Sequence, residues 1–160
     1  MKTKGLLLRV AGLLMTASLA ALLVACASTP AASPEASAPM PDPTVMTATN
    51  DKMGSFLVDA KGNSLYMFTK DTANLSNCYG GCATAWPPLL VTDAPVAAKG
   101  LDASLLATTT RTDGTMQVTY AGWPLYYYIK DKAPGDVLGQ TVGGVWYLLA
   151  ADGSLIKTAL

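Results

Sequence analysis

The 160-residue chain contains no histidine. That absence excludes Ser-His-Asp and Cys-His catalysis and removes the commonest ligand for zinc, copper and haem. Among hydrolytic mechanisms, carboxylate pairs and Ser-Lys chemistry remain, and no signature of either is visible. Charge is also scarce, at 14% of residues. No Lys/Arg cluster occurs, which argues against a nucleic-acid partner. The chain has three cysteines, and Cys78 and Cys82 have three residues between them. They match neither the Cys-x-x-Cys of thioredoxin-like enzymes nor the Cys-x-x-Cys-His of haem attachment. No cofactor is expected. The apolar run Val10 to Val24 is broken by Gly12, Thr16 and Ser18. It falls short of the about 20 residues that a bilayer-spanning helix needs.

What is present at the start is the pattern of an export signal. Lys2, Lys4 and Arg9 precede the apolar run, and small residues follow it. The run ends in Leu23-Val24-Ala25-Cys26, which resembles a bacterial lipobox. The resemblance implies that residues 1–25 are a lipoprotein signal peptide and that Cys26 is lipidated, an ordinary secreted protein being the alternative. One acyl chain holds a protein weakly and two or more hold it stably, at about 0.8 kcal/mol per buried methylene, so a diacylglyceryl group is a lasting membrane anchor. Ala27 rather than Asp favours the outer membrane in a Gram-negative envelope.

Residues 26–52, rich in Ala, Ser, Thr and Pro, read as a disordered tether. Residues 53–160 read as one domain, large enough for a core of its own. Without the three basic residues of the signal, eight Lys plus Arg face eleven Asp plus Glu. Met40, Met46 and Met53 lie in or beside the tether and raise copper as an alternative, against which stand their irregular spacing and the missing histidine.

The chain repeats itself at an offset of sixty. Gly54 to Leu89 laid on Gly114 to Leu149 gives ten identities in thirty-six ungapped positions. They are Gly54/Gly114, Val58/Val118, Gly62/Gly122, Leu65/Leu125, Tyr66/Tyr126, Lys70/Lys130, Asp71/Asp131, Ala73/Ala133, Trp86/Trp146 and Leu89/Leu149. Such self-similarity decides the architecture before any local pattern does. The repeats extend over about 54–91 and 114–151.

Phe56 to Asp59 and Ser64 to Phe68 predict a hairpin around a Gly-bearing turn, and Met116 to Tyr120 with Pro124 to Ile129 predict its copy. Further strands are expected at Leu89 to Val91, Leu105 to Arg111, Val145 to Ala150 and Leu155 to Thr158, with a helical turn at Ala83 to Trp86 ended by Pro87-Pro88. The pattern is that of a compact all-β antiparallel sandwich or barrel of about eight short strands.

Each hairpin strand ends in Tyr, any residue, an aromatic, two residues and Asp: Tyr66-Met67-Phe68-Thr69-Lys70-Asp71 and Tyr126-Tyr127-Tyr128-Ile129-Lys130-Asp131. With Leu57-Val58-Asp59-Ala60, Cys82-Ala83-Thr84-Ala85-Trp86-Pro87-Pro88-Leu89 and Pro134-Gly135-Asp136, this resembles the bacterial lipoproteins defined by a Tyr-x-aromatic-x-x-Asp motif, also described as secreted repeats of unknown function. The resemblance implies an exported or surface lipoprotein and carries no established activity.

Strand alternation puts Tyr66 and Phe68 on one face and Leu65 and Met67 on the other, and likewise Tyr126 and Tyr128 opposite Leu125, Tyr127 and Ile129. The motif aromatics read as packing, or else as a face that stacks on a ring-shaped ligand. Asp71 and Asp131 read as turn-fixing acceptors, or else as a convergent carboxylate pair. Cys78 and Cys82, this close in an exported chain, read as a disulfide, whose duty is structural because their counterparts Leu138 and Val142 are apolar, or else as redox or metal-binding thiols. Trp86 and Trp146 read as paired core residues, and Trp123, in a turn, as the tryptophan most open to a ligand.

The expected function is that of a non-enzymatic envelope lipoprotein, an all-β binding or structural module anchored to the membrane at Cys26 with an unknown partner. The alternative is a redox or metal-handling accessory protein that uses Cys78 and Cys82. A hydrolase resting on Asp71 or Asp131 comes third.

Overall fold

Alternation of apolar and polar side chains starts earlier than the tether's composition implies. The computed structural model describes residues 42–160. The signal segment 1–25, Cys26 and residues 27–41 lie outside the described residues. Strand β1, Val45–Asn50, pairs antiparallel with β2, Gly54–Asp59, so that Val45 faces Asp59 and Asn50 faces Gly54. The expected boundary of the tether at residue 52 is therefore wrong, since the folded part already contains residues 45–50. Val45 is fully buried while Thr47 and Thr49 are exposed, a two-residue period that the Ala/Thr/Pro-rich surroundings mask.

The second half repeats this hairpin. Strand β5, Leu106–Thr110, pairs with β6, Met116–Tyr120, and Leu106 lies opposite Tyr120. Strand β6 also takes β4, Leu90–Val91, and β7, Trp123–Pro124. Strand β3, Tyr66–Phe68, pairs with β8, Trp146–Leu148. All of these pairings are antiparallel, and among the described residues the sheets do not close into a barrel. A five-residue helix, α1, covers Gly81–Ala85.

Two expected strands dissolve for identifiable reasons. Residues 126–129 lie against 85–88 as β3 lies against β8: the Tyr127 amide donates to Pro87 O at 2.8 Å and the Ile129 amide to Ala85 O at 3.0 Å. Pro87 and Pro88 have no N–H to return, so only isolated bridges form there. At the C-terminus only Leu155 bridges, to Leu149. The Gln140 side-chain amide takes the carbonyls of Ile156 and Thr158 at 2.6 and 2.8 Å, which leaves them unavailable to a partner strand.

The offset of sixty also slips by one residue inside the hairpins. The Leu65 amide donates to Leu57 O and the Leu125 amide to Val118 O, both at 3.0 Å, so Val118 corresponds in register to Leu57 and not to Val58. The turns explain the slip. Tyr120 pairs with Trp123 across Ala121 and Gly122, whose φ values of 49° and 82° are those of a two-residue hairpin turn with both central residues left-handed. The first copy needs a three-residue loop, Ala60 to Gly62, closed by the Asp59 amide donating to Asn63 O at 2.9 Å, with Gly62 at φ 84°. The extra residue is absorbed as a glycine bulge. The Val58/Val118 identity is thus a coincidence of sequence: Val58 joins one core cluster and Val118 the other.

Those two clusters follow from strand alternation. Phe56, Val58, Tyr66, Tyr126, Tyr128 and Leu148 face an aromatic core, whereas Leu57, Leu65, Met67, Val118, Tyr120 and Leu125 face an aliphatic one. The expected faces of Tyr66/Phe68 and Leu65/Met67 are the observed ones. At the centre of the aromatic core Trp86 and Trp146 lie parallel, 3.9 Å between centroids and 4° between planes. Phe68 stacks on the outer side of Trp146 at 4.3 Å and Tyr128 on that of Trp86 at 4.1 Å. The result is a stack of four rings, in which each half's tryptophan carries the other half's motif aromatic. Gly139 makes room for it: a Cβ there would lie 2.8 Å from Tyr66 and 2.9 Å from Trp86.

Candidate functional site

The two motif strands meet back to back. Tyr66 and Tyr126 exchange backbone hydrogen bonds, Tyr66 N to Tyr126 O at 2.8 Å and Tyr126 N to Tyr66 O at 2.9 Å, on the approximate two-fold axis of the repeat. Each tyrosine then reaches into the opposite half. The Tyr66 hydroxyl donates to Asp131 Oδ2 and the Tyr126 hydroxyl to Asp71 Oδ2, both at 2.7 Å. The motif's first and last residues are therefore partners across the repeat and not within it.

Each Asp also fixes the loop that follows its own strand. Asp71 Oδ1 accepts the Asn77 amide at 2.7 Å, and Asp131 Oδ1 accepts the Leu138 amide at 3.0 Å. No hydrogen bond joins Asp71 to Asp131, so each carboxylate serves a separate tyrosine and loop. Burial pushes both carboxyls above their ordinary range. Tyr126, the Asn77 amide and Arg111 oppose the shift at Asp71, and Tyr66 and the Leu138 amide oppose it at Asp131. Burial, with the carboxylate partner adding to it, likewise raises both tyrosines.

The two halves part company around Asp71, which is 5% exposed while Asp131 is half-buried. The Tyr126 hydroxyl oxygen in turn accepts from Ser76 Oγ at 2.8 Å. The buried Arg111 side chain donates from Nη1 to Ser76 Oγ at 2.8 Å and to Gln117 Oε1 at 2.7 Å, and from Nη2 to Cys78 O at 2.8 Å. Tyr79 covers the guanidinium at 4.3 Å from its ring centroid, a cation–π contact. Arg111, Ser76 and Gln117 escape a reading of the sequence. Gln117 lies in a strand, Met-Gln-Val-Thr-Tyr, whose polar positions read as solvent-facing, and only the fold brings residue 111 beside 76 and 78.

Cys78 and Cys82 form a disulfide with Cα atoms 5.2 Å apart, Cys78 being buried and Cys82 half-buried. Closing so small a loop contributes about 2 kcal/mol in the chain-entropy model. The double variant Cys78→Ala/Cys82→Ala is expected to lose about that amount in urea unfolding and to remain folded, because Arg111 still holds the Cys78 carbonyl. A variant that fails to fold would show that the disulfide organises the network rather than stapling it.

Trp123 is half-buried and packs against the aliphatic core, so it is not the exposed platform its turn position implies. Met53 is buried and Met46 packs against the aromatic core. Among the described residues, no three His, Cys, Asp or Glu side chains come together as a metal site, and no helix is long and apolar enough to cross a membrane.

These features define an all-β domain of two related halves, locked together by crossed Tyr–Asp pairs and one aromatic stack. The chain belongs to the family described as a secreted repeat of unknown function, whose sequence profile matches it twice, over residues 47–90 and 107–150 and together more than half of the chain. Both matches keep the offset of sixty, and the first begins inside β1. No curated protein and no solved structure matches the chain.

Proposed function

We propose that the protein is a lipid-anchored, non-enzymatic module of the bacterial cell envelope, held at the membrane through Cys26 and carrying its β domain on a short tether. The observation that supports the non-enzymatic part is the use made of the motif: Tyr66 and Tyr126 are fully buried and Asp71 nearly so, their polar atoms committed to one another and to loop amides. Groups so engaged hold the fold together and offer no reactive atom to a substrate. The anchor rests on Leu23-Val24-Ala25-Cys26 behind a basic start and an apolar run.

The anchor is tested by metabolic labelling with palmitate and detergent-phase partition. The wild-type protein is expected to carry label and enter the detergent phase, and Cys26→Ala to lose both properties. Label retained by the Cys26→Ala protein would rule the assignment out.

A further inference from the structure

The halves differ most where the motif's second end opens to solvent. A cleft of about 420 Å³ lies between the first hairpin and the second motif strand, walled by Lys61, Asn63, Ser64, Tyr127, Tyr128 and Asp131. That volume falls within the range of small-molecule sites. At the offset of sixty, Asn63, Ser64 and Tyr128 fall on Trp123, Pro124 and Phe68. The equivalent position on the other side of the repeat thus lacks these polar groups, while the frame beneath is common to both.

The wall is rigid. Tyr128 is held flat on Trp86, Tyr127 donates its hydroxyl to Asp59 Oδ2 at 3.1 Å, and Asp59 Oδ2 also accepts the Asn63 side-chain amide at 2.9 Å. Asp131 is fixed by Tyr66 and Leu138. The Tyr128 hydroxyl and the Lys61 ammonium have no hydrogen-bond partner among the described residues. Donors at Lys61 and Tyr128 therefore face acceptors at Asp131 and Asn63 Oδ1, beside the half-buried Tyr127 ring and the rim of Tyr128, which is 9% exposed and stacked on Trp86. Asp131, and Asp59 behind Tyr127 and Asn63, are already hydrogen-bonded within the wall, which leaves Lys61 without an excess of positive charge to select an anion. The combination suits a neutral ring that bears vicinal hydroxyls, each able to donate and accept, with an apolar C–H face.

We infer that this cleft binds a sugar ring, with Tyr128 and Lys61 as its principal polar contacts. The inference deepens the binding-module reading above and rests on it. The full-length protein in detergent is titrated with glucose, N-acetylglucosamine and inositol and followed by amide NMR. Saturable shifts confined to Lys61, Asn63 and residues 127–131 are expected with at least one sugar. Tyr128→Phe and Lys61→Ala are each expected to weaken binding about threefold to tenfold, with unchanged unfolding midpoints, whereas exposed Leu75→Ala leaves it unaltered. No saturation up to about 0.1 M, or shifts indifferent to both variants, would overturn the site. Inositol binding equally well with no sugar preference would overturn the sugar assignment. Cleavage of an added oligosaccharide would instead sink the non-enzymatic reading and leave the site standing.

Discussion

Trp86→Ala is expected to lower the unfolding free energy by about 3–5 kcal/mol, as large aromatic truncations in cores do. Three features place it at the upper end. Its ring is stacked on both faces, by Trp146 at 3.9 Å and Tyr128 at 4.1 Å, and Tyr66 meets its edge at 5.5 Å. Little else can fill the space, because the neighbouring wall is Gly139, which carries no side chain to move in. The cavity also sits between the halves, so a local collapse in one half cannot close it without shifting the other. A domain of this size has about 5–15 kcal/mol in all, and one substitution would remove a large part of it. Urea unfolding of Trp86→Ala beside Trp86→Phe measures the loss, the phenylalanine variant retaining a ring and losing less. A cost near 1 kcal/mol would mean that the stack is incidental to stability.

Much of this core was legible in the sequence and some of it could not be. A period of two carried Tyr66/Phe68 and Tyr126/Tyr128 to one face, and the repeat carried the pairing of Trp86 with Trp146, because both signals survive any rotation of the strands in space. The disulfide was legible from spacing and from the apolar residues in the other copy. The crossing of the Tyr–Asp pairs was not, since within-half and between-half partners have the same sequence signature and only the two-fold axis chooses between them. The register slip was hidden for a related reason: Gly62 and Gly122 align, yet one serves a bulged three-residue loop and the other a two-residue turn. Arg111, whose charge reads as solvent-facing, is buried against Ser76 and Cys78, more than thirty residues away along the chain, as well as Gln117 on the neighbouring strand.

Asp71→Ala and Asp131→Ala are expected to differ although the repeat makes them equivalents. The first strands the buried Tyr126 hydroxyl inside a network that also holds Arg111, where a donor left unpaired costs about 1–3 kcal/mol, and frees the amide of Asn77, an exposed residue whose bond to Asp71 is part-buried. A loss of about 2–3 kcal/mol is expected. Asp131 is half-buried beside the cleft, where water can replace its oxygens, so about 1–2 kcal/mol is expected there.

The pH dependence supplies an independent check, read from Asp71→Asn, which keeps the shape and removes the titration. Burial raises the Asp71 carboxyl in the folded state, so the folded protein binds this proton more tightly than the unfolded chain does. Its contribution to stability is fully present below the ordinary carboxylate value of about 3.9 and is lost as pH rises through the raised value. The turn-capping Asp102, Asp113, Asp136 and Asp152 are lowered by their hydrogen bonds and contribute with the opposite sign, but they are common to both proteins and cancel in the comparison. Thermal unfolding of the two from about pH 3 upward is therefore expected to show the wild type losing ground to Asp71→Asn as pH increases. Parallel curves would mean that Asp71 titrates as an ordinary carboxylate and that the network around Arg111 fully compensates its burial. A wild type that gained ground with pH would mean that the hydrogen bonds from Tyr126 and Asn77 outweigh desolvation, and the two motif carboxylates would then be anchored by charge rather than held against it.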